Sequence, residues 1–223
     1  MKNDVMVIEN FLPEEQARSI EHRMNLISDW SARICDRTPP GPRIIPPETL
    51  QALGMDAQEY ARTHHASLQG LAAGGTMAYL FFVKRLLEFD PELHKFWNTG
   101  LVEKVNAWTG KEGNYFEEAQ VTMYSSGCFL GQHTDGVYNR QVACIANFTR
   151  NWQPDFGGCL TVLSKGEWKV VPPTFNSLVM MDVRADNCHY VSQVASWVQH
   201  KRLAITGWVG LDKSNWPSPY DEE

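Results

Sequence analysis

Apolar positions recur along this chain with two different periods, and the change falls near Gly113. Before that point Val5–Phe11 predicts a short strand. Leu12-Pro13-Glu14-Glu15 then opens a helix, with proline and acids in the first turn, where a fixed φ and negative charge suit a helix N-terminus. Ala17, Ile20, Met24 and Ile27 follow at helical spacing and give it one buried face. Thr38–Pro47 holds five prolines in ten residues and predicts an irregular, partly extended loop. Three more helices are expected over Glu48–Ala66, Thr76–Glu88 and Pro91–Trp108. The last has a stripe of Leu93, Trp97, Leu101, Val105 and Trp108, and Gly74-Gly75 and Thr109-Gly110 mark breaks.

Beyond Gly113, short β-branched and aromatic runs alternate with turn residues. Strands are expected at Glu118–Tyr124, Val142–Thr149, Gly158–Leu163, Val170–Pro172, Ser177–Val183, His189–Val194 and Arg202–Val209. Many short strands at this spacing predict an α+β protein with a mainly β core, a double-stranded β-helix (jelly roll, cupin-like) with N-terminal helices packed on one sheet. With no internal repeat or long linker, 1–223 is expected to be a single domain. Its parts are a strand plus helical buttress over 1–113, the jelly-roll core over 114–210 and a tail over 211–223.

Composition narrows the setting. The 223 residues are 43% hydrophobic and 21% charged, ordinary for a globular chain. A net charge of −6 without a Lys/Arg run argues against a nucleic-acid partner, which would need a basic stripe. The apolar run Ala78–Val83 stops at Lys84-Arg85, too short to span a membrane, and Met1-Lys2-Asn3-Asp4 opens no signal sequence. Cys35, Cys128, Cys144, Cys159 and Cys188 are odd in number and scattered, as for reduced thiols in the cytoplasm. Oligomeric state is not readable.

The chemistry concentrates in His133-Thr134-Asp135, a later His189, and Arg202. On a strand, His133 and Asp135 would share a face, and His189 opens a later strand that a jelly roll could bring alongside. Two imidazoles and a carboxylate on one face of a metal leave its other face open, which suits Fe(II) better than the tetrahedral, cysteine-rich sites of structural zinc. H-x-D alone is weak, since any surface strand can carry it. Cys188 should point away from His189, and His22, His64, His65, His94 and His200 fit solvated or capping roles. Arg202 and Thr206 share a face of one predicted strand, and a guanidinium can fork onto a carboxylate. An arginine paired with a surface acid fits that spacing equally well.

From Tyr124 to Trp208 the chain resembles the Fe(II)/2-oxoglutarate-dependent dioxygenases, in their prolyl-hydroxylase-like branch, which includes the hypoxia-sensing and collagen prolyl hydroxylases. The resemblance runs in order through Tyr124-Ser125-Ser126-Gly127, His133-Thr134-Asp135, Asn151-Trp152, Gly157-Gly158-Cys159-Leu160, Asn176-Ser177-Leu178-Val179, His189 and Arg202–Trp208. Val5–Pro13 is similar to the entry of such enzymes, whereas Thr38–Asn114 lies outside the likeness. The resemblance implies His133, Asp135 and His189 as iron ligands and Arg202 as the clamp on 2-oxoglutarate, with these four as the catalytic set. Tyr124 and Thr206 would contact the co-substrate, and Trp208 and Leu160 would wall the cavity. Asn147 stands where the hypoxia-sensing enzymes carry a tyrosine, and its shorter side chain weakens that contact. The His189–Arg202 interval is also longer than usual, with residues around Ala195–His200 lengthening the turn. Fe(II), 2-oxoglutarate, O2 and ascorbate as reductant are the implied cofactors.

The implied reaction decarboxylates 2-oxoglutarate to succinate and CO2 and hydroxylates a C–H bond. Asp135 favours hydroxylation, because halogenating relatives have a small residue there. A prolyl residue of a protein or peptide is the substrate the family suggests; a free amino acid or small natural product is the alternative. A non-catalytic jelly roll binding metal or ligand is a reading of another class. Thr38–Pro47 and Gly136–Arg140 could flank the mouth. Arg140, Arg150 and Arg184 fit solvated surface charge better than substrate contacts, and Trp152 and Trp168 fit sheet packing.

Overall fold

A computed structural model describes residues 4–35, 43–73, 77–136, 140–183 and 187–211. Strand β1 (Val5–Glu9) and helix α1 (Glu14–Asn25) stand where the pattern places them, with Ala17, Ile20 and Met24 buried. Strands β2 (Ser31–Cys35) and β3 (Arg43–Ile45) were not expected, and β3 occupies part of the stretch predicted to be irregular. Residues 38–42 of that stretch, and Gly74-Gly75, lie outside the described residues. The helix expected over Glu48–Ala66 is two helices, α2 (Pro47–Ala52) and α3 (Ala57–Ala73). They part at Gly54, whose φ of 68° is a left-handed value that glycine adopts freely.

The largest departure is at Thr76–Glu88. It is strand β4 (Tyr79–Arg85) followed by one turn of helix, α4 (Leu86–Phe89). Tyr79-Leu80-Phe81-Phe82-Val83 is buried throughout, and so short an apolar run carries no period that separates a helix from a central strand. Neighbours on both sides favour the strand, which suits aromatic and β-branched side chains. The predicted Pro91–Trp108 helix is α5 (Pro91–Phe96), a π-helical turn over Trp97–Leu101, and α6 (Val102–Thr109). Asp90 caps its start by accepting from the Leu93 N–H at 3.0 Å, and Gly110 ends it at φ 70°.

The core is built from β5 (Tyr115–Tyr124), β6 (Phe129–His133), β7 (Arg140–Asn147), β8 (Leu160–Ser164), β9 (Glu167–Val171), β10 (Ser177–Asp182), β11 (His189–Val191) and β12 (Arg202–Gly210). These strands form two antiparallel runs of one continuous curled sheet, ordered β10-β7-β12-β5 and β6-β11-β8-β9, the arrangement of a double-stranded β-helix. β4 joins them: Phe82–Arg85 pair with β5, while Tyr79 and Leu80 pair with β6. β1 extends the first run alongside β10. β6 was missed because Gly131 interrupts its pattern, and there a Cβ would lie 2.5 Å from the Ala78 carbonyl oxygen. Helices α4 to α6 and the π turn form the buttress, with α4 and the π turn against β5. Among the described residues no helix is long and apolar enough to cross a membrane.

Candidate metal centre and co-substrate pocket

His133 and His189 are directly opposed across the antiparallel β6–β11 pair, so strand register alone brings the imidazoles together, their ring centroids 4.1 Å apart. Each ring is oriented by its far nitrogen: His133 Nδ1 lies 2.9 Å from the Gly131 carbonyl oxygen, and His189 Nδ1 lies 3.1 Å from that of Asn187. An Nδ1–H donating to a carbonyl turns Nε2 toward the centre, in position to ligate a metal. Asp135 comes from beyond the end of β6, not from the strand itself, so the shared-face expectation gives way to a loop that carries the carboxylate in. Its Oδ1 is 3.5 Å from His133 Nε2 and its Oδ2 is 3.3 Å from His189 Nε2. The donor atoms of the three side chains all lie within 4.8 Å of one another, close enough for one ion. Burial pushes the Asp135 carboxyl up, but the hydrogen bonds and charges of the two imidazoles outweigh it and hold the group well below its ordinary range, as a carboxylate. Cys188 is not in this group.

Arg202 opens β12 opposite Tyr124 of β5, with its guanidinium carbon 5.0 Å from the tyrosine ring centre. It is 3% exposed. Among the described residues no carboxylate meets it: its Nη2 reaches Asn147 Oδ1 only at 3.5 Å, and its Nε has no partner. The surface ion pair that the spacing equally allowed is therefore ruled out. A buried, uncompensated cation is costly unless something anionic completes it. Burial lowers its pKa, and by the same cause raises that of Tyr124, leaving a neutral phenol beside a guanidinium.

Several motif residues meet in this part of the barrel. Asn147 is buried, its amide donating to Ser177 Oγ at 3.1 Å, and Ser177 donates to the Thr174 carbonyl at 2.6 Å. Neighbouring Asn176 takes φ 56° and clamps Leu12 through its N–H and carbonyl, tying the chain entry to the same corner. Gly158, at φ 66°, passes so close that a Cβ would sit 3.2 Å from Arg202 Cδ, from Trp152 and from Val194. The long interval between His189 and Arg202 does not form an extended hairpin. Val194 exchanges backbone bonds with Gly127 and Cys128, and Ala195 bonds Phe156, so the segment folds against Ser126–Cys128 and packs Trp197 and His200 on Phe156.

Thr206 lies four residues along β12 from Arg202, half-buried, accepting from Gln120 at 3.5 Å. Leu160 is buried opposite Val191, on the side of the sheet that carries His189. Trp208 is half-buried, and its indole N–H donates to Asp135 Oδ2 at 2.9 Å. Arg140 corrects the solvated-charge expectation. Its side chain is only 9% exposed, stacked 3.7 Å over the Trp208 ring and bound through two nitrogens to Glu117 at 3.0 and 2.6 Å. Sequence reasoning missed Glu117, and the only signal was its place opposite Trp208. Arg150 is paired with Glu21, Arg184 lies outside the described residues, and Trp168 is 47% exposed against Tyr190 instead of packed.

Residues 119–210 match the 2OG-Fe(II) oxygenase superfamily. Over that stretch the chain is similar to a 2OG-Fe(II) oxygenase domain. The chain is 29% identical over 119 residues to the prolyl 3-hydroxylase OGFOD1 of Mus musculus, covering 48% of this chain and 22% of that protein. It is 27% identical over 124 residues to the prolyl 3-hydroxylase sudestada1 of Drosophila melanogaster, covering 48% and 23%. The match thus spans under a quarter of either curated relative's length. The fold is that of a Pseudomonas putida prolyl-4-hydroxylase (TM-score 0.53, 18% identity, 94% of each chain). It is also that of a Trichoplax adhaerens prolyl hydroxylase in complex with a hypoxia inducible factor peptide fragment (TM-score 0.51, 16% identity, 93% of this chain and 84% of that one). Fe(II), 2-oxoglutarate and O2 are the cofactors of the 2OG-Fe(II) oxygenase family, and the donor set fits them: two neutral-capable imidazoles, one carboxylate, and a buried arginine lacking an anion.

Proposed function

We propose that this chain is an Fe(II)/2-oxoglutarate-dependent hydroxylase working as one unit over 1–223, its substrate a prolyl residue in a protein or peptide. The observation that carries the reading is the pairing of two features in one barrel: a compact His133–Asp135–His189 cluster and a buried Arg202 with unmet hydrogen-bonding capacity. His133, Asp135 and His189 would hold the iron. Arg202, backed by Asn147, would receive the distal carboxylate of 2-oxoglutarate through its free N–H groups, with the Tyr124 hydroxyl and Thr206 along the same wall. When bound, iron supplies with 2-oxoglutarate and O2 the oxidising power to hydroxylate an unactivated C–H bond, releasing succinate and CO2. The chain's own part is orientation and exclusion of water: the guanidinium fixes the direction of the co-substrate, and Leu160 and Trp208 close the sides.

The prolyl substrate is supported by the prolyl hydroxylases among its relatives and fold neighbours. Purified chain with Fe(II), 2-oxoglutarate, ascorbate and proline-containing peptides should release succinate and add one oxygen mass to proline. Fe(II)-dependent succinate release with no peptide oxidation, but oxidation of a free amino acid, would move the substrate to small molecules. No Fe(II) or 2-oxoglutarate binding would end the oxygenase reading altogether.

A further inference from the structure

The three clustered side chains are not fixed in the same way. His133 and His189 belong to paired strands, and each is locked by a backbone carbonyl. Asp135 lies past the end of β6, so no ladder sets its direction. Among the described residues, the donor that reaches it other than the two imidazoles is the Trp208 indole N–H.

Trp208 is itself held with unusual care. Arg140 lies flat against its ring, and Glu117, directly across from Trp208 on β5, grips Arg140 with both carboxylate oxygens. A cation on the face of an indole draws electron density from the ring and makes the N–H a better donor. The grip depends on a β-bulge: the β5–β12 register passes from Gln120–Thr206 to Glu117–Trp208, leaving Glu118 and Ala119 against Gly207. Glu118 takes φ 49°, uncommon for a side chain of its size, and pairs with Arg33 at 3.4 Å and Arg140 at 3.7 Å. Gly207 has no alternative, since a Cβ would lie 2.2 Å from the Phe116 ring and 2.5 Å from the Glu117 carbonyl oxygen. Bulges of this kind re-aim side chains beside functional sites.

We propose that Glu117, Arg140 and Trp208 form a positioning relay that holds Asp135 by Oδ2 and so presents Oδ1 to the metal. The relay rests on the oxygenase reading and adds to it the device that makes a loop carboxylate as fixed as two strand histidines. The test uses the full chain and Co(II), whose visible absorption reports its coordination. Trp208→Phe keeps the ring and removes only the N–H; it should weaken Co(II) binding about tenfold and change the spectrum. Arg140→Met should weaken binding by less, and add nothing in the Trp208→Phe background, because its effect travels through that N–H. Unchanged affinity and spectrum in Trp208→Phe, or losses that simply add in the double variant, would overturn the relay while leaving the oxygenase reading intact. Wild-type chain that binds no Co(II) would instead remove the reading beneath it. Should Trp208→Phe fail to fold, Arg140→Met and Glu117→Gln, which keep the indole, must each alter the Co(II) spectrum for the relay to stand.

Discussion

The His133–Asp135–His189 cluster and the buried Arg202 are finished to different degrees. At the metal end, both imidazoles are oriented by carbonyls and the carboxylate by an indole. At the clamp end, Arg202 is equally buried but has an Nε with no partner and one stretched contact to Asn147. A satisfied polar cluster stabilises the fold that contains it, whereas an unsatisfied buried charge works against it. The difference separates what the chain can complete from what it leaves for a ligand. Two substitutions should therefore move the metal-free protein in opposite directions.

The largest effect is expected from Asp135→Ala. It deletes the proposed carboxylate ligand and leaves the Trp208 N–H unpaired, so Fe(II)-dependent succinate release should fall to background and metal-free stability should drop by about 1–3 kcal/mol. Full activity in this variant would refute the ligand role. Arg202→Met keeps the volume and removes the charge. Metal-free protein should then gain stability, by about 1–2 kcal/mol, since a desolvated cation is replaced by packing. Wild-type protein should gain about 2.7 kcal/mol when 2-oxoglutarate is present at a hundred times its Kd, and the variant nothing. Thermal denaturation of both proteins with and without 2-oxoglutarate checks each number. A metal-free Arg202→Met protein less stable than wild type would mean that the guanidinium is already satisfied.

How much of this contrast was legible beforehand depends on what carried each part. His133, Asp135, His189 and Arg202 could be picked out because few residue types ligate iron or fork onto a carboxylate, and their order along the chain is informative. β4 was not legible: Tyr79–Val83 is buried on both faces, so no alternation marks it as a strand. Arg140 looked like surface charge because sequence shows a charge but not its partner, and Glu117 reaches it only through a bulge two strands away. The same holds for Asp135, whose place in a loop and not a strand shows only in the backbone. Residue types and the family resemblance suggested the chemistry of the site, and pairing across the sheets revealed what surrounds those residues.

Gly158→Ala sharpens the comparison from the clamp side. The new methyl would meet Arg202 Cδ, Trp152 and Val194, each at 3.2 Å, and the left-handed φ of 66° adds strain of about 1–2 kcal/mol. The guanidinium should be displaced while the histidines, on other strands, stay in place. Titration is expected to show weaker 2-oxoglutarate binding with Co(II) affinity unchanged. Equal loss of both would mean that the two ends are one mechanical unit.

The smallest effect should come from outside both ends. Asp90 caps α5 and accepts from Arg23 at 2.6 Å. Burial raises its pKa, but the Leu93 N–H and Arg23 outweigh burial and lower it below the ordinary 3.8. A carboxylate whose folded pKa is depressed contributes stability above its unfolded pKa, and that contribution is lost as the pH falls through the folded value. Asp90→Ala should thus cost about 1 kcal/mol at neutral pH, the usual worth of a cap. The gap from wild type in thermal denaturation should narrow as the pH falls below 3.8, where wild-type Asp90 begins to take up its proton. Metal and 2-oxoglutarate affinities should not change, because α5 belongs to the helical buttress and reaches neither His133 nor Arg202. A change in either affinity would show that the buttress is coupled to the cluster or to Arg202, and the contrast between them could no longer be explained by local contacts alone.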